Sequence, residues 1–252
     1  MVLRDITLIR RSFPHQPVYD TALSHALLRR ASRGQVGETL RVSIPARMVA
    51  FGRQDMSSTG YQAAAVAARE RGYAAVERLA GGRAAVFHPG TIAFSWTIPE
   101  QEPKANITTR FKEIAVIVAG ALERLGIAAR IGEVPGEYCP GAYSVSAGNR
   151  HKIMGVGQRV IRRAAHVGGV IVVNDSAAVR DVLVPVYEEL GVSWDPVTAG
   201  SIADELGAPR DLEKVADTFI NEFADRFSLR EGLFDDDTLV EAETLAPAHA
   251  SP

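Results

Sequence analysis

The chain is 252 residues long, 46% hydrophobic and 23% charged, with a formal net charge of −2, enough for one sizeable core and read as a single α/β domain with a modest appendage. Near-neutrality gives no global drive toward nucleic acid or an anionic membrane, and no apolar run is long enough to span a bilayer. One cysteine forms no internal disulfide, and Met1-Val2-Leu3-Arg4-Asp5 lacks the basic start and apolar centre of a signal peptide, so the cytoplasm is the expected compartment.

Thr7 to Arg11 is a short apolar and basic entry. Asp20 then stands where a helix would be capped, ahead of Ala22, Leu23, Ala26 and Leu27 on one face, with Arg29, Arg30 and Arg33 on its wet side or end. Leu40 to Ile44 and Met48 to Phe51 read as neighbouring strands separated by Pro45. Gln62 to Arg71 predicts a helix closed by Gly72 in a left-handed cap. Tyr73 to Leu79 predicts a strand that runs into Ala80-Gly81-Gly82-Arg83-Ala84-Ala85-Val86-Phe87-His88, and Thr91 to Ile98 alternates as another. Glycines between two strands let backbone approach a ligand closely, which makes this one candidate wall of a site.

Ile107 to Leu125 has the clearest helical periodicity, with Phe111, Ile114, Val118, Leu122 and Leu125 on one face and Gly126 at its end. Ile127 to Ile131 is a strand leading to Gly136–Arg159, G-E-Y-C-P-G-A-Y-S-V-S-A-G-N-R-H-K-I-M-G-V-G-Q-R, which reads as turn, strand, hairpin at Gly148-Asn149, strand and second turn at Gly155-Val156-Gly157. Val167 to Val173, V-G-G-V-I-V-V, is β-branched apart from Gly168 and Gly169, as a strand buried on both faces would be. Helices are expected over Val179 to Leu190, where Pro185 should kink or split the segment, and over Leu212 to Phe227. Residues 231–252, with Asp235-Asp236-Asp237 and an Ala/Pro-rich end, read as a mobile acidic tail after a catalytic domain at 1–230.

Two side chains carry the chemistry. A lone cysteine is ordinarily a small buried hydrophobe, but Cys139 lies on a Pro/Gly turn, where backbone N–H groups and a nearby cation can depress a thiol toward the thiolate. Lys152, thirteen residues on, can point its charge at a carbonyl or phosphate oxygen in the same cleft. The glycine pairs are weak phosphate signals, because the Walker pattern and the third glycine of a dinucleotide fingerprint are both absent. His88 is a candidate orienting residue or a structural histidine. His25, His151 and His166 show no metal-ligand spacing, and no metal site is expected. Arg150, Lys152, Arg159, Arg162 and Arg163 form the densest basic cluster, either a solvated edge or a docking patch for an acidic partner.

At these two walls the sequence resembles the lipoate/biotin protein ligase catalytic family, and within it the cysteine-dependent octanoyl and lipoyl transferases. Arg78 to His88, R-L-A-G-G-R-A-A-V-F-H, is similar to the ligase pattern R-R-x-S-G-G-G-A-V-x-H. Lys152 to Arg159 matches K-I-x-G-x-x-Q-R, and Cys139 to Tyr143 is similar to the C-P-G-x-Y turn of the amidotransferase branch. The resemblance implies a class II synthetase-like α/β (α+β) domain, with a mixed, largely antiparallel sheet flanked by helices. It implies Cys139 as acyl-thioester nucleophile, Lys152 on the acyl carbonyl, and Arg78, Gly81, Gly82, His88, Gly155, Gly157 and Gln158 as substrate-binding residues, with Arg83 beside them in a role left open. The expected reaction moves an octanoyl or lipoyl group from the glycine cleavage H protein, or an acyl carrier protein, to lipoyl domains of 2-oxoacid dehydrogenases, without cofactor. The alternatives are an ATP- and Mg-dependent lipoate ligase, disfavoured because the ligases' Arg-Asn-Asp segment is replaced by Gly141-Ala142-Tyr143-Ser144, and a non-catalytic acyl-binding homologue.

Overall fold

The computed structural model describes residues 3–252. In chain order, β1 (Asp5–Ile9) and α1 (Pro17–Ser32) precede β2 (Thr39–Ser43), β3 (Met48–Phe51), the single turn α2 (Arg53–Met56) and α3 (Tyr61–Glu70). Next come β4 (Ala74–Glu77), β5 (Ala85–Phe87), β6 (Thr91–Pro99), α4 (Ile107–Arg124), β7 (Ala129–Ile131), β8 (Val145–Ala147), β9 (His151–Ile161) and β10 (Ala164–Val172). The chain ends with α5 (Ser176–Glu189), α6 (Ile202–Leu206), α7 (Leu212–Ala224), β11 (Ser228–Glu231) and α8 (Asp236–Leu245). Strands order as β11-β1-β2-β6-β10-β9-β8-β7 in an eight-stranded sheet, and as β4-β3-β5 in a smaller one. The large sheet is parallel across β11, β1 and β2 and antiparallel beyond.

Period-2 alternation gives the large sheet two unlike faces. On one, Leu40, Val42, Phe94, Trp96, Ile98, Val167 and Ile171 pack with Ile114 and Val118 of α4 and Phe219 and Phe223 of α7 into the main core. Each such side chain contributes roughly 1.5–3 kcal/mol of transfer free energy. On the other face, register aligns Arg41, Ser95, Gly168 and Gly157 in one row across β2, β6, β10 and β9, and Ser43, Ala93, Val170 and Gly155 in the next. Small side chains there leave a gap between this face and the smaller sheet, whose own core of Val49, Phe51, Ala64, Ala85 and Val182 is closed by α3 and α5.

Several local expectations change. β2 and β3 are not neighbours: β2 lies between β1 and β6, whereas β3 pairs with β4 and β5 in the smaller sheet. The chain changes sheets at the Pro45 turn. Gly155 and Gly157 lie within β9, opposite Val170 and Gly168, not in a turn. α1 starts at Pro17, whose fixed φ suits a first turn; Asp20 is inside it and its Oδ1 accepts from Arg41 Nη2 at 2.7 Å. α5 runs unbroken through Pro185, and the Asp181 carbonyl, which would otherwise accept from residue 185, accepts from Arg71 Nη1 instead.

Residues 231–252 are no free tail. Asp235 caps α8 through Thr238 N at 2.7 Å, and Phe234, Ala242 and Leu245 pack on Leu23 and Leu27 of α1. Arg30, expected on the wet side, is buried there and pairs with Asp235 at 3.1 Å and Asp237 at 3.3 Å. The apolar residues are few but helically spaced, which an average over the segment hides. The basic cluster also divides: Arg150 and Arg162–Arg163 are exposed at opposite ends of β9, roughly 40 Å apart at 3.3 Å per residue, and Lys152 is buried.

Candidate active site: a strained cysteine turn at the mouth of a cleft

Cys139 has φ 43°, a left-handed backbone that costs a non-glycine residue about 1 kcal/mol or more. Its surroundings hold the turn in place. Cys139 N donates to Tyr187 Oη at 2.8 Å, and that hydroxyl donates to Ala84 O at 3.0 Å. From below, Lys152 Nζ donates to Cys139 O at 2.8 Å, Tyr138 O at 2.9 Å and Glu137 Oε1 at 3.2 Å. An ammonium has three protons, so this lysine has none to spare for a further acceptor. Glu137, equally buried, also accepts from Ser144 Oγ at 2.6 Å, Gly141 N at 3.0 Å and Val134 N at 3.2 Å. The Lys152–Glu137 pair is therefore desolvated but fully hydrogen-bonded, the condition under which a buried ion pair is tolerated.

The sulfur is in contact with the other wall. Arg78 Nη2 lies 3.4 Å from Sγ and Arg83 N lies 3.3 Å from it. Burial pushes the thiol up, but the charges of Arg78 and Lys152 and the Arg83 N–H outweigh it, leaving the thiol below its ordinary value. Arg83 serves the sulfur through its backbone; its side chain reaches Asp55 at 3.5 Å. Gly82, at φ 98°, is required: a Cβ there would stand 3.0 Å from Sγ and 2.2 Å from Arg78 Nη2. Across the loop, a Cβ on Gly52 would fall 1.7 Å from Gly82 O.

Behind the thiol, between the two sheets, lies a cleft of about 90 Å³. Cys139, Lys152, Arg78 and Gly155 line it, with Met48, Ala50, Ala85 and Phe87 from the smaller sheet and Ala93, Ser95, Gly168 and Val170 from the large one. Gly81, Gly82 and Arg83 build the loop beside it without lining it, and Gly157 of β9 lies under that loop; a Cβ on Gly157 would meet Ala80 Cβ and Gly81 O at 3.0 Å. Two expected residues are elsewhere. Gln158 faces α4, accepting from Arg110 Nε at 2.6 Å and donating to Ile107 O at 3.2 Å. His88 folds onto its own turn, Nδ1 accepting from Gly90 N at 3.0 Å. Sequence reasoning passed over Glu137 and Tyr187, which hold the turn, and Arg41, Ser24, Ser95 and His166, which line the far side of the cleft. Glu137 stands two residues before the cysteine, and Arg41 interrupts an apolar strand; Tyr187 carries no local signal. No cluster of three metal-ligating side chains forms among the described residues, and none of their helices is long and apolar enough to cross a membrane.

Solved structures with the same fold place this architecture. Lipoate-protein ligase A bound with ATP superposes with a TM-score of 0.76 at 20% identity, covering 98% of this chain and 95% of its own. A bipartite lipoate protein ligase from Thermoplasma acidophilum gives 0.73 at 17% identity, covering 97% and 92%. The fold is thus that of the lipoate protein ligases. The family model for the lipoyl protein ligase A/B catalytic domain matches residues 16–224, and the chain belongs to that family. Among relatives, the octanoyl-[GcvH]:protein N-octanoyltransferase of Geobacillus kaustophilus is 27% identical over 79% of this chain and 75% of its own. The lipoyl-[GcvH]:protein N-lipoyltransferase of Listeria monocytogenes is 23% identical over 67% and 62%.

Proposed function

We propose that the protein is an acyltransferase of protein lipoylation, carrying an octanoyl or lipoyl group as a thioester on Cys139 from the glycine cleavage H protein to the lysine of a lipoyl domain. The observation that carries this reading is the thiol itself: on a half-buried cysteine, lowered by two cations and an N–H group, and held in a strained turn at the mouth of a cleft with largely apolar walls. The names of the relatives support the cargo and the donor.

The thiolate adds to the carbonyl of the acyl-lysine amide, the C–N bond breaks, and the donor lysine leaves as an amine with a proton from water. The lysine amine of the acceptor domain then adds to the thioester, its surplus proton passes to solvent and replaces the one taken in the first step, the C–S bond breaks, and Cys139 returns to the thiolate. Arg78, against the sulfur and with its Nε unpartnered, supplies charge to the developing oxyanion. Lys152 works through the turn: with its three protons on Glu137, Tyr138 and Cys139, it fixes the nucleophile and adds its field. Neither nucleotide nor metal enters these steps. Intact mass after incubation with octanoylated H protein tests the reading. An octanoyl adduct lost in Cys139→Ser is expected; no adduct, together with activity of Cys139→Ala on free lipoate, ATP and magnesium, would overturn it in favour of the ligase.

A further inference from the structure

The two ends of the cleft are finished differently. At the thiol end, Lys152 and Glu137 have every contact filled, and the one unpartnered buried atom, Arg78 Nε, belongs to the guanidinium already set against the sulfur. At the opposite end, Arg41 and His166 line the cleft and are buried, yet Arg41 Nε and His166 Nδ1 have no hydrogen-bond partner. Arg41 is otherwise well placed: Nη1 donates to Ser24 Oγ at 2.8 Å and Asp20 O at 3.1 Å, and Nη2 to Asp20 Oδ1 at 2.7 Å, so its charge is matched. Ser24 and Ser95 hydroxyls meet beside it at 3.3 Å. An unpartnered buried polar group costs roughly 1–3 kcal/mol, and an alkyl terminus pressed against these would leave the cost standing.

Length agrees. The cleft runs across the strands from Gly155 on β9, beside the cysteine turn, past Val170 and Gly168 on β10 and Ala93 and Ser95 on β6, to Arg41 on β2, three strand spacings or about 14 Å. An extended eight-carbon acyl chain with one further atom reaches about 11 Å from the sulfur. Resting on the transferase reading above, we propose that the preferred cargo is an acyl chain of about eight carbons bearing an uncharged hydrogen-bond acceptor at its far end, received by Arg41 Nε, His166 and the Ser24–Ser95 pair. The acceptor is uncharged because Asp20 already balances Arg41, and His166 is neutral: burial first, then Arg41 and His25, lower it to about 3.

The test compares two donors on the whole protein: H protein acylated with octanoyl and with 8-hydroxyoctanoyl, with the rate of Cys139 loading read by intact mass. The hydroxylated chain should load roughly five- to tenfold faster, and His166→Leu should shrink that ratio toward one. Equal loading, or faster loading of octanoyl, overturns the inference and leaves the transferase standing. A third donor, acylated with the mono-acyl group of octanedioic acid, should be the slowest; if it is the fastest, the uncharged acceptor is wrong. Failure of every donor overturns the transferase reading, and this inference falls with it.

Discussion

Along β6, Ile92, Phe94, Trp96 and Ile98 alternate with Ala93, Ser95 and Thr97, and the two sets do different work. The first set is interdigitated with α4 and α7, with Trp96 edge-on to Phe223 at 5.4 Å. Ala93 and Ser95 of the second face a cleft kept open by glycine, alanine and serine. Adjacent residues of one strand thus divide stability from occupancy, and a substitution on one face should leave the other function measurable.

Cys139→Ser is the largest effect: all acyl-enzyme should vanish by intact mass while the thermal midpoint changes little, because serine is nearly the size of cysteine and the bonds that hold the turn run through its backbone N and O. A large fall in the midpoint would show that the turn depends on its sulfur. On the packed face, Trp96→Ala should lower unfolding free energy by roughly 3–5 kcal/mol in urea titration, with Cys139 alkylation in the surviving native fraction close to wild type. Glu137→Leu couples stability to the site. It strands the Lys152 ammonium in a buried position, for a loss of about 3–5 kcal/mol, and releases the turn, so thermal midpoint and alkylation should both change.

Arg78→Gln is a smaller and more selective change. Removing that charge should move the pH midpoint of Cys139 alkylation upward, toward an ordinary thiol, and slow the reaction at pH 7; an unchanged midpoint would assign the lowering to Lys152 and the Arg83 N–H alone. The sign for stability follows. A thiol lowered in the fold stabilises it above the thiol's unfolded value, and that contribution is lost as pH falls through the folded value. Ser95→Ala, on the cleft face, should cost about 1 kcal/mol or less, the worth of one hydroxyl contact, and is the smallest of these effects.

The features legible in sequence were those decided by near neighbours. α4, the Gly148-Asn149 hairpin, central β10 and the two walls of the site follow from periodicity, turn chemistry and motif order. What was missed depends on partners distant in the chain: Arg30 with Asp235, Leu23 with Phe234, Arg71 with the carbonyl freed by Pro185. Gln158 is a different case. Gly155 and Gly157 share one face of a strand, and period 2 puts residue 158 on the other; reading the glycines as a turn concealed that. Motif order places residues near a site, but strand parity decides which of them enter it.

Whether Cys139 carries the acyl group to its acceptor is tested on the acyl-enzyme itself. Octanoyl-enzyme, isolated after loading and free of donor and nucleotide, is mixed with an unmodified lipoyl domain, and both masses are followed. The domain should gain one octanoyl group on its lysine as the enzyme loses its own. An acyl-enzyme that persists, with the domain modified only when octanoate, ATP and magnesium are supplied, would contradict it.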